Sequence, residues 1–538
     1  MARGSIGTGT AVGEGVFLRK ASGLIKTAGT WDVFIYNIGL VSVGIGLGTM
    51  VLFGPAVYFG SNLYIGVIFA SIVMSFVALG MLTWTLVIPR SGGVYPFASR
   101  ILPPSLAFTL SFVESIAWLF ACANAAFWIV SIGLVPMLSV AGIITGSSAL
   151  DSAATTLGQP WPTFIVGSAI LLLAGYIVLR GMKTFFFTQK IAFAIAMAGS
   201  VFLIVLLLFT SNSQFVGNFN SLFGPNVTYQ GVIDAAIKGG WSSTFSWNQT
   251  LLGSVWAFYP LIGAAFSIAI GGEIKSVGRA QTIGMMGAVW VSALLWILTF
   301  AVALPAFGYN FLGAVGFNSL NALPSTPTTP YLTLLAGIAT KSWLVTFVVS
   351  LGFIAWIWLW IPGMQAYAQR AMVAWSFDRL APARLADISE RSHTPVVAVL
   401  VAVAVTIVFM AGFVFTPWFA TNMIVFIEAA FFAWSFVLLA GVFFPYRRKE
   451  MYEKSPIANM KILGLPVMSV ACGLGFLGGQ VAGWLLFSDN FAAGHQPIPV
   501  TIVAAAFVLG LVLYFIAKQV RRRQGINIDL AFKQIPIE

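Results

Sequence analysis

The sequence predicts an all-α integral membrane protein of about twelve transmembrane helices, with a 5+5 inverted repeat followed by two further helices. Three observations predict it. Hydrophobic residues fill 59% of the 538 positions and charged residues only 8%, at a mean hydropathy of +0.95, so there is too little polar surface to cover a globule in water. Apolar runs of about 20 residues, the length that crosses a hydrocarbon core as a helix, recur about twelve times between polar loops. The first and sixth runs are interrupted by glycine and proline, and an odd offset of five inverts the second copy in the membrane.

In chain order, residues 1–30 form a polar tail without the short apolar core of a signal peptide. A core of residues 31–446 follows, with repeat one about 31–210 and repeat two about 250–446; residues 447–520 add two helices and 521–538 a second tail. The apolar runs centre near Ile45, Ser75, Phe120, Leu171, Ala196, Leu261, Ala293, Ile357, Val405, Ala433, Gly475 and Leu509. The connection from Thr210 to Trp247 is long and polar, and carries two N-glycosylation sequons, at Asn226 and Asn248. With the N-terminus inside, nearly all Lys and Arg fall on one face, from Arg19 and Lys20 through Arg90, Arg100, Arg180, Lys183 and Arg447 to Arg521 and Lys533; Lys238 and Lys341 fall on the other. The net charge of +12 is therefore a topological signal that places both termini in the cytoplasm, and nucleic acid is not an expected partner. Cys122 and Cys472 lie in apolar runs and His393 and His495 in loops. They form neither a metal site nor a catalytic constellation, which argues against an enzyme and implies no cofactor.

The first run, "YNIGLVSVGIGLGTMVLFGPAVYFG", contains Gly39, Gly44, Gly46, Gly48, Gly54 and Pro55. An unpaired backbone group in hydrocarbon costs several kcal/mol, so a chain leaves the helix there only where it faces protein, water or ligand. The competing reading is close helix packing, which the Gly44/Gly48 spacing fits. The sixth run, "VWAFYPLIGAAFSIAIGGEIKS", places Pro260 and Gly263 in mid-span. A half-helix starting near Gly48 would aim N–H groups and the positive end of its dipole at a carboxylate. Carbonyls freed around Phe258 to Leu261 would suit an ammonium.

Four segments carry a resemblance: "GIGLGTMVLFGPA", "IPRSGGVYPFASRILPPSLAF", "FYPLIGAAFSIAIGGEIKSVGRA" and "QRAMVAWSFDRLAPARLADISERSHTPVVAV". In this order and at these spacings the chain resembles the amino acid permeases of the amino acid-polyamine-organocation superfamily, which share the leucine-transporter fold. The resemblance implies a substrate carboxylate on the backbone of Gly46, Leu47 and Gly48, beside Gly44 and Thr49, and an ammonium on carbonyls near Phe258 and Tyr259. It also implies an aromatic cap over the substrate four residues before Gly263, which is Tyr259. Two departures leave proton coupling, sodium coupling and exchange all open. Where many such permeases have a lysine seven residues after a helix-five glutamine, here Gln189, this chain has Ala196, and Lys190 stands out of register, snorkelling near the inner interface. The eighth run, "FIAWIWLWIPGMQ", lacks a neighbouring Ser/Thr pair, and its Trp356, Trp358 and Trp360 cannot all share one helical face.

Two carboxylates fall inside apolar runs and are coupling or proton-site candidates: Glu114 in "LSFVESIAWLF" and Glu428 in "MIVFIEAAFFAW", the latter near the centre of run ten, a helix that the resemblance implies borders the substrate pocket. Asn124 in run three is a candidate polar contact. Glu273, Lys275 and Arg279 after run six, and Arg370 and Asp378 after run eight, are read as inner-gate or loop ion pairs, with a solvated face as the alternative. The function these features predict is secondary transport of amino acids across the cytoplasmic membrane by alternating access. The alternatives are a polyamine or cationic amino acid exchanger, with Glu428 or Glu114 as counter-charge, and a non-transporting nutrient sensor.

Overall fold

A computed structural model describes residues 24–225, 227–416, 418–419, 425–491, 495–528 and 532, so most of the N-terminal tail, Asn226 and Lys533 lie outside the described residues. Among the described residues twelve helices are long and apolar enough to cross a bilayer: Thr30–Val57, Leu63–Val87, Pro104–Thr145, Pro160–Leu179, Met182–Leu208, Trp247–Ala269, Val277–Phe307, Trp343–Phe377, Val396–Phe415, Glu428–Arg447, Val467–Ser488 and Pro497–Arg523. They are called spans one to twelve below. The long connection after span five folds into two short helices, Asn212–Phe223 and Tyr229–Lys238, whose first turns are closed by the Ser211 and Thr228 hydroxyls.

Burial ranks the spans. In the most apolar stretch of each, 89% of span one and 83% of span six is buried, against 11% of span twelve. Spans one and six are therefore the axis of the molecule, and span twelve is its most exposed span. The first half of span one packs on span seven, and span six on span two; span eight packs on span five, and span three on span ten; span four packs on span nine. Adding five to each span number, counted round ten, maps the first two of these pairings onto one another, likewise the next two, and the last onto itself. Span eleven lies against spans two and ten, and span twelve against span three.

Span one is broken, at a different residue from the one the glycines suggested. Helix runs from Thr30 to Val41, Ser42 turns left-handed (φ 49°, ψ 77°), and helix resumes from Val43 to Val57. A non-glycine residue in that region costs about 1–2 kcal/mol, and the Ser42 hydroxyl offsets part of it by donating to the Trp356 carbonyl at 2.9 Å. Gly44, Gly46 and Gly48 remain helical. They make room for rings: a β-carbon on Gly44 would sit 3.0 Å from Trp356, one on Gly46 would overlap the Trp296 indole, and one on Gly48 would touch Phe353 at 3.4 Å. For these three glycines the close-packing reading holds.

Span six changes pitch instead of unravelling. It is α-helical from Val255 to Leu261 and 3-10 from Ile262 to Ala269, with a further short turn at Gly271–Glu273. Pro260 cannot donate to the Trp256 carbonyl, and the Ile262 N–H turns to the Pro260 carbonyl. Gly263 lies where the two central spans cross, and a β-carbon there would overlap the Leu40 carbonyl and reach 2.6 Å from the Val41 nitrogen. Those neighbours are backbone and cannot rotate away. Gly263→Val is expected to cost about 3 kcal/mol or to prevent folding, whereas Gly217→Ala, whose β-carbon meets nothing within 4 Å, should leave thermal unfolding of the detergent-purified protein unchanged or slightly later.

Candidate functional site

Because the break falls at Ser42, the N–H groups of Val43, Gly44 and Ile45 open the second half-helix and have no acceptor within it. The Ser42 N–H points back to the Ile38 and Gly39 carbonyls, and the Gly46 N–H reaches the Ser42 carbonyl at 3.2 Å. The donor set suited to a carboxylate is thus Val43–Ile45. Of the predicted residues only Gly44 belongs to it; Gly46, Leu47 and Gly48 are engaged in the helical ladder, and the Thr49 hydroxyl donates to the Ile45 and Gly46 carbonyls of its own helix. Trp296 of span seven steadies the break by donating its indole N–H to the Val43 carbonyl at 2.8 Å.

Across from it, Pro260 leaves the Trp256 carbonyl without its ladder donor. Tyr259 and Phe258 are buried but diverge. The Phe258 ring packs edge-on to Phe69 of span two at 5.8 Å, while the Tyr259 ring approaches Trp360 of span eight at 6.0 Å and its hydroxyl bonds the Asn124 side chain of span three. Trp360 in turn lies 6.5 Å from Trp128, which ends the α-helical part of span three just before a π-helical segment, Ile129–Leu134. The Trp360 indole N–H is buried and has no hydrogen-bond partner among the described residues. Trp356 and Trp360 share the buried face of span eight, one turn apart, and Trp358 does not. The structure therefore brings together Gly44, Asn124, Tyr259 and Gly263, and adds Ser42, Trp296 and Trp360. An adjoining cavity of ≈ 40 Å³ lined by Gly44, Gly48, Ser200, Phe353 and Trp356 has room for water and not for an amino acid.

The two candidate carboxylates separate. Glu114 is fully buried, and Tyr367 of span eight and Trp434 of span ten both donate to its Oε1 at 2.5 Å. Its Oε2 has no partner among the described residues. Over this group lies Phe266, from the 3-10 stretch of span six, with ring centroids 4.4 Å from Trp118, 5.3 Å from Tyr367 and 6.0 Å from Trp434. Glu428, predicted near the centre of run ten and against the substrate, instead stands in the first turn of span ten and lines a separate cavity with spans eleven and twelve.

On the Arg-rich face, Glu273 receives Arg370 Nε at 3.0 Å and Nη2 at 3.2 Å, and both side chains are buried. Asp378 receives the Tyr95 hydroxyl at 2.9 Å and Arg100 Nη1 at 3.2 Å. Lys275 and Arg279, grouped with these by sequence, are exposed, the solvated alternative. Arg100, in sequence only a topological charge in a loop, is fully buried here. Backbone also closes this face: the Thr27 and Ala28 N–H groups reach the Glu273 carbonyl, Lys275 N–H reaches Ala28, and Gly92 N–H reaches Ala269. Deeper, Asn37 and Ser267 exchange two hydrogen bonds of 2.9 Å, and Ser267 donates its hydroxyl to Gln281, binding spans one, six and seven. Lys190 stays out of the core, half exposed and 2.7 Å from Asp32.

Removing one partner of a buried ion pair strands the other charge, at about 3–5 kcal/mol. Arg370→Ala should therefore destabilise strongly, while Arg370→Met combined with Glu273→Leu should be less destabilising than Arg370→Ala. Thermal unfolding of the single and double variants checks the sign of the coupling.

A family model described as amino acid permease matches residues 29–527. The arginine/agmatine antiporters of Chlamydia trachomatis serovar D and serovar A are each 27% identical to this chain over 146 residues, which is 27% of this chain and 27% of theirs. The chain thus spans little more than a quarter of the length of these curated relatives. The family match runs through both central spans, the buried ion pairs and all twelve helices, and the chain belongs to the amino acid permease family.

Proposed function

We propose that the protein is a secondary transporter that moves amino acids across the cytoplasmic membrane by alternating access, with both termini in the cytoplasm. One observation carries the reading. The half-helix that opens at Val43–Ile45 faces the proline-relieved stretch of span six, with Tyr259, Asn124 and Trp360 alongside. Such an arrangement can hold a carboxylate on backbone N–H groups and an ammonium on backbone carbonyls, the two ends common to α-amino acids, without any charged side chain. Nothing in it requires a cofactor or a covalent step. Labelled amino acid should accumulate in proteoliposomes against a preloaded unlabelled pool; absence of counterflow with every amino acid, despite ligand-dependent thermal stabilisation, would instead support a sensor.

A cationic substrate is the second reading, favoured by the name of the partial relatives and by the rings of Trp128, Tyr259 and Trp360, which could face a cation. Neither carboxylate favours it, since Glu114 is held by Tyr367 and Trp434 and Glu428 lines another cavity. We therefore favour zwitterionic substrates.

For coupling, Glu114 is the better placed of the two. Its Oε2 is a vacant site for a proton, its one titratable neighbour by hydrogen bond is Tyr367, and Phe266 of span six rests on the cluster. Gaining a proton would remove a buried charge and weaken the hold of Tyr367 and Trp434. Glu114→Gln should retain amino acid binding by thermal shift but flatten the dependence of uptake on an imposed pH gradient. Uptake that still rises with the gradient as in the parent would assign the coupling elsewhere.

A further inference from the structure

A cavity of ≈ 650 Å³ lies between spans ten, eleven and twelve, outside the helices that carry the candidate site. Along span twelve it extends from Val500 to Val508, about 12 Å of helix at 1.5 Å per residue. It therefore runs from the membrane edge opposite the Arg-rich face toward mid-depth. Its walls are mainly apolar, with Phe431, Phe432, Trp484 and Phe507 among them. Gly483 opens directly onto it, and a β-carbon there would meet nothing within 4 Å. An apolar hollow of this size gives water too few polar partners to fill it, whereas an acyl chain matches the walls.

The edge end of the cavity is different in character. Glu428 stands there with Oε1 buried and without a hydrogen-bond partner among the described residues. Among the described residues no Lys or Arg lines the cavity, and a cation seated at Oε1 would offset the cost of burying the ionised carboxyl. An ionised Glu428 at the mouth favours a cation over an anion. A primary ammonium can also donate a hydrogen bond to Oε1, which a quaternary ammonium cannot.

We propose that this cavity binds a membrane phospholipid with a primary ammonium headgroup, the ammonium on Glu428 and one acyl chain between spans ten, eleven and twelve. The site has a mechanical reach. Span eleven contributes Trp484 and Phe487 to the cavity and ends at Ser488. The next residue, Asp489, accepts the Tyr58 hydroxyl at 2.9 Å, and Phe491 packs on Phe53 at 5.2 Å and Trp256 at 5.9 Å. These contacts cover the ends of spans one and six on the face opposite the arginines. A lipid seated in the cavity braces the helix end that carries this cover.

The binding step does not rest on the transport reading and is tested apart from it. The full chain is purified, exchanged into defined phosphatidylethanolamine, phosphatidylcholine or phosphatidylglycerol, and its retained lipid is measured by native mass spectrometry. Phosphatidylethanolamine is expected to be retained roughly tenfold better than phosphatidylcholine, the worth of one charge-assisted hydrogen bond. Glu428→Gln should reduce that preference toward parity. Gly483→Leu, which fills the cavity, should abolish retention of the bound lipid while leaving thermal unfolding in detergent no earlier than in the parent. Equal retention of the ethanolamine and choline lipids by the parent overturns the proposal, as does an undiminished preference in Glu428→Gln; undiminished retention by Gly483→Leu overturns the placement of the chain.

Discussion

Hydrocarbon offers nothing to a peptide N–H or C=O, and this constraint governs the centre of the molecule. Span one leaves the helix at Ser42 while almost wholly buried, so every group released there has to be met by protein or by a ligand. The protein meets some of them: the Ser42 hydroxyl donates to the Trp356 carbonyl and the Trp296 indole N–H donates to the Val43 carbonyl. The N–H groups of the next turn are left to other partners. A candidate site made of main chain is what remains when side chains satisfy a broken helix on one side only.

That economy explains the aromatic and glycine content of spans one, five, seven and eight. Each tryptophan that supports the break is bulky, and the helix beside it gives way at a glycine: Trp356 beside Gly44 and Trp296 beside Gly46. The same exchange allows direct backbone contact, where Gly199 of span five and Gly352 of span eight touch and where Gly263 meets Leu40. Small residues here set distances between rods and so decide which carbonyls come within reach of which donors. Glycine as a flexible joint is not needed at any of these positions.

The number of spans and their approximate centres were legible because the required helix length follows from bilayer thickness, and composition leaves no other solvent. The involvement of spans one and six was legible from Pro260 and the glycine cluster. The residue at which span one breaks was not, because Ser42 is an ordinary helix residue whose left-handed turn depends on a carbonyl three hundred residues away in span eight. Burial of Arg100 was equally invisible: an arginine in a loop counts as a surface charge until Asp378 and Tyr95 are placed around it. Tyr259 and Asn124, far apart in sequence, bond each other, whereas Glu428 lines another cavity. Local pattern indicates where the helix is weak; long-range partners decide how that weakness is used.

The short backbone bridge on the arginine-rich face has a mechanical consequence. Ala28 pairs in parallel with Ile274, and the Glu273 carbonyl takes two N–H groups from the chain that leads into span one. The lower half of one central rod is thereby yoked to the lower half of the other. A displacement of either at this end drags its twin along, so the two rod ends move as one body beside the buried Arg370–Glu273 pair.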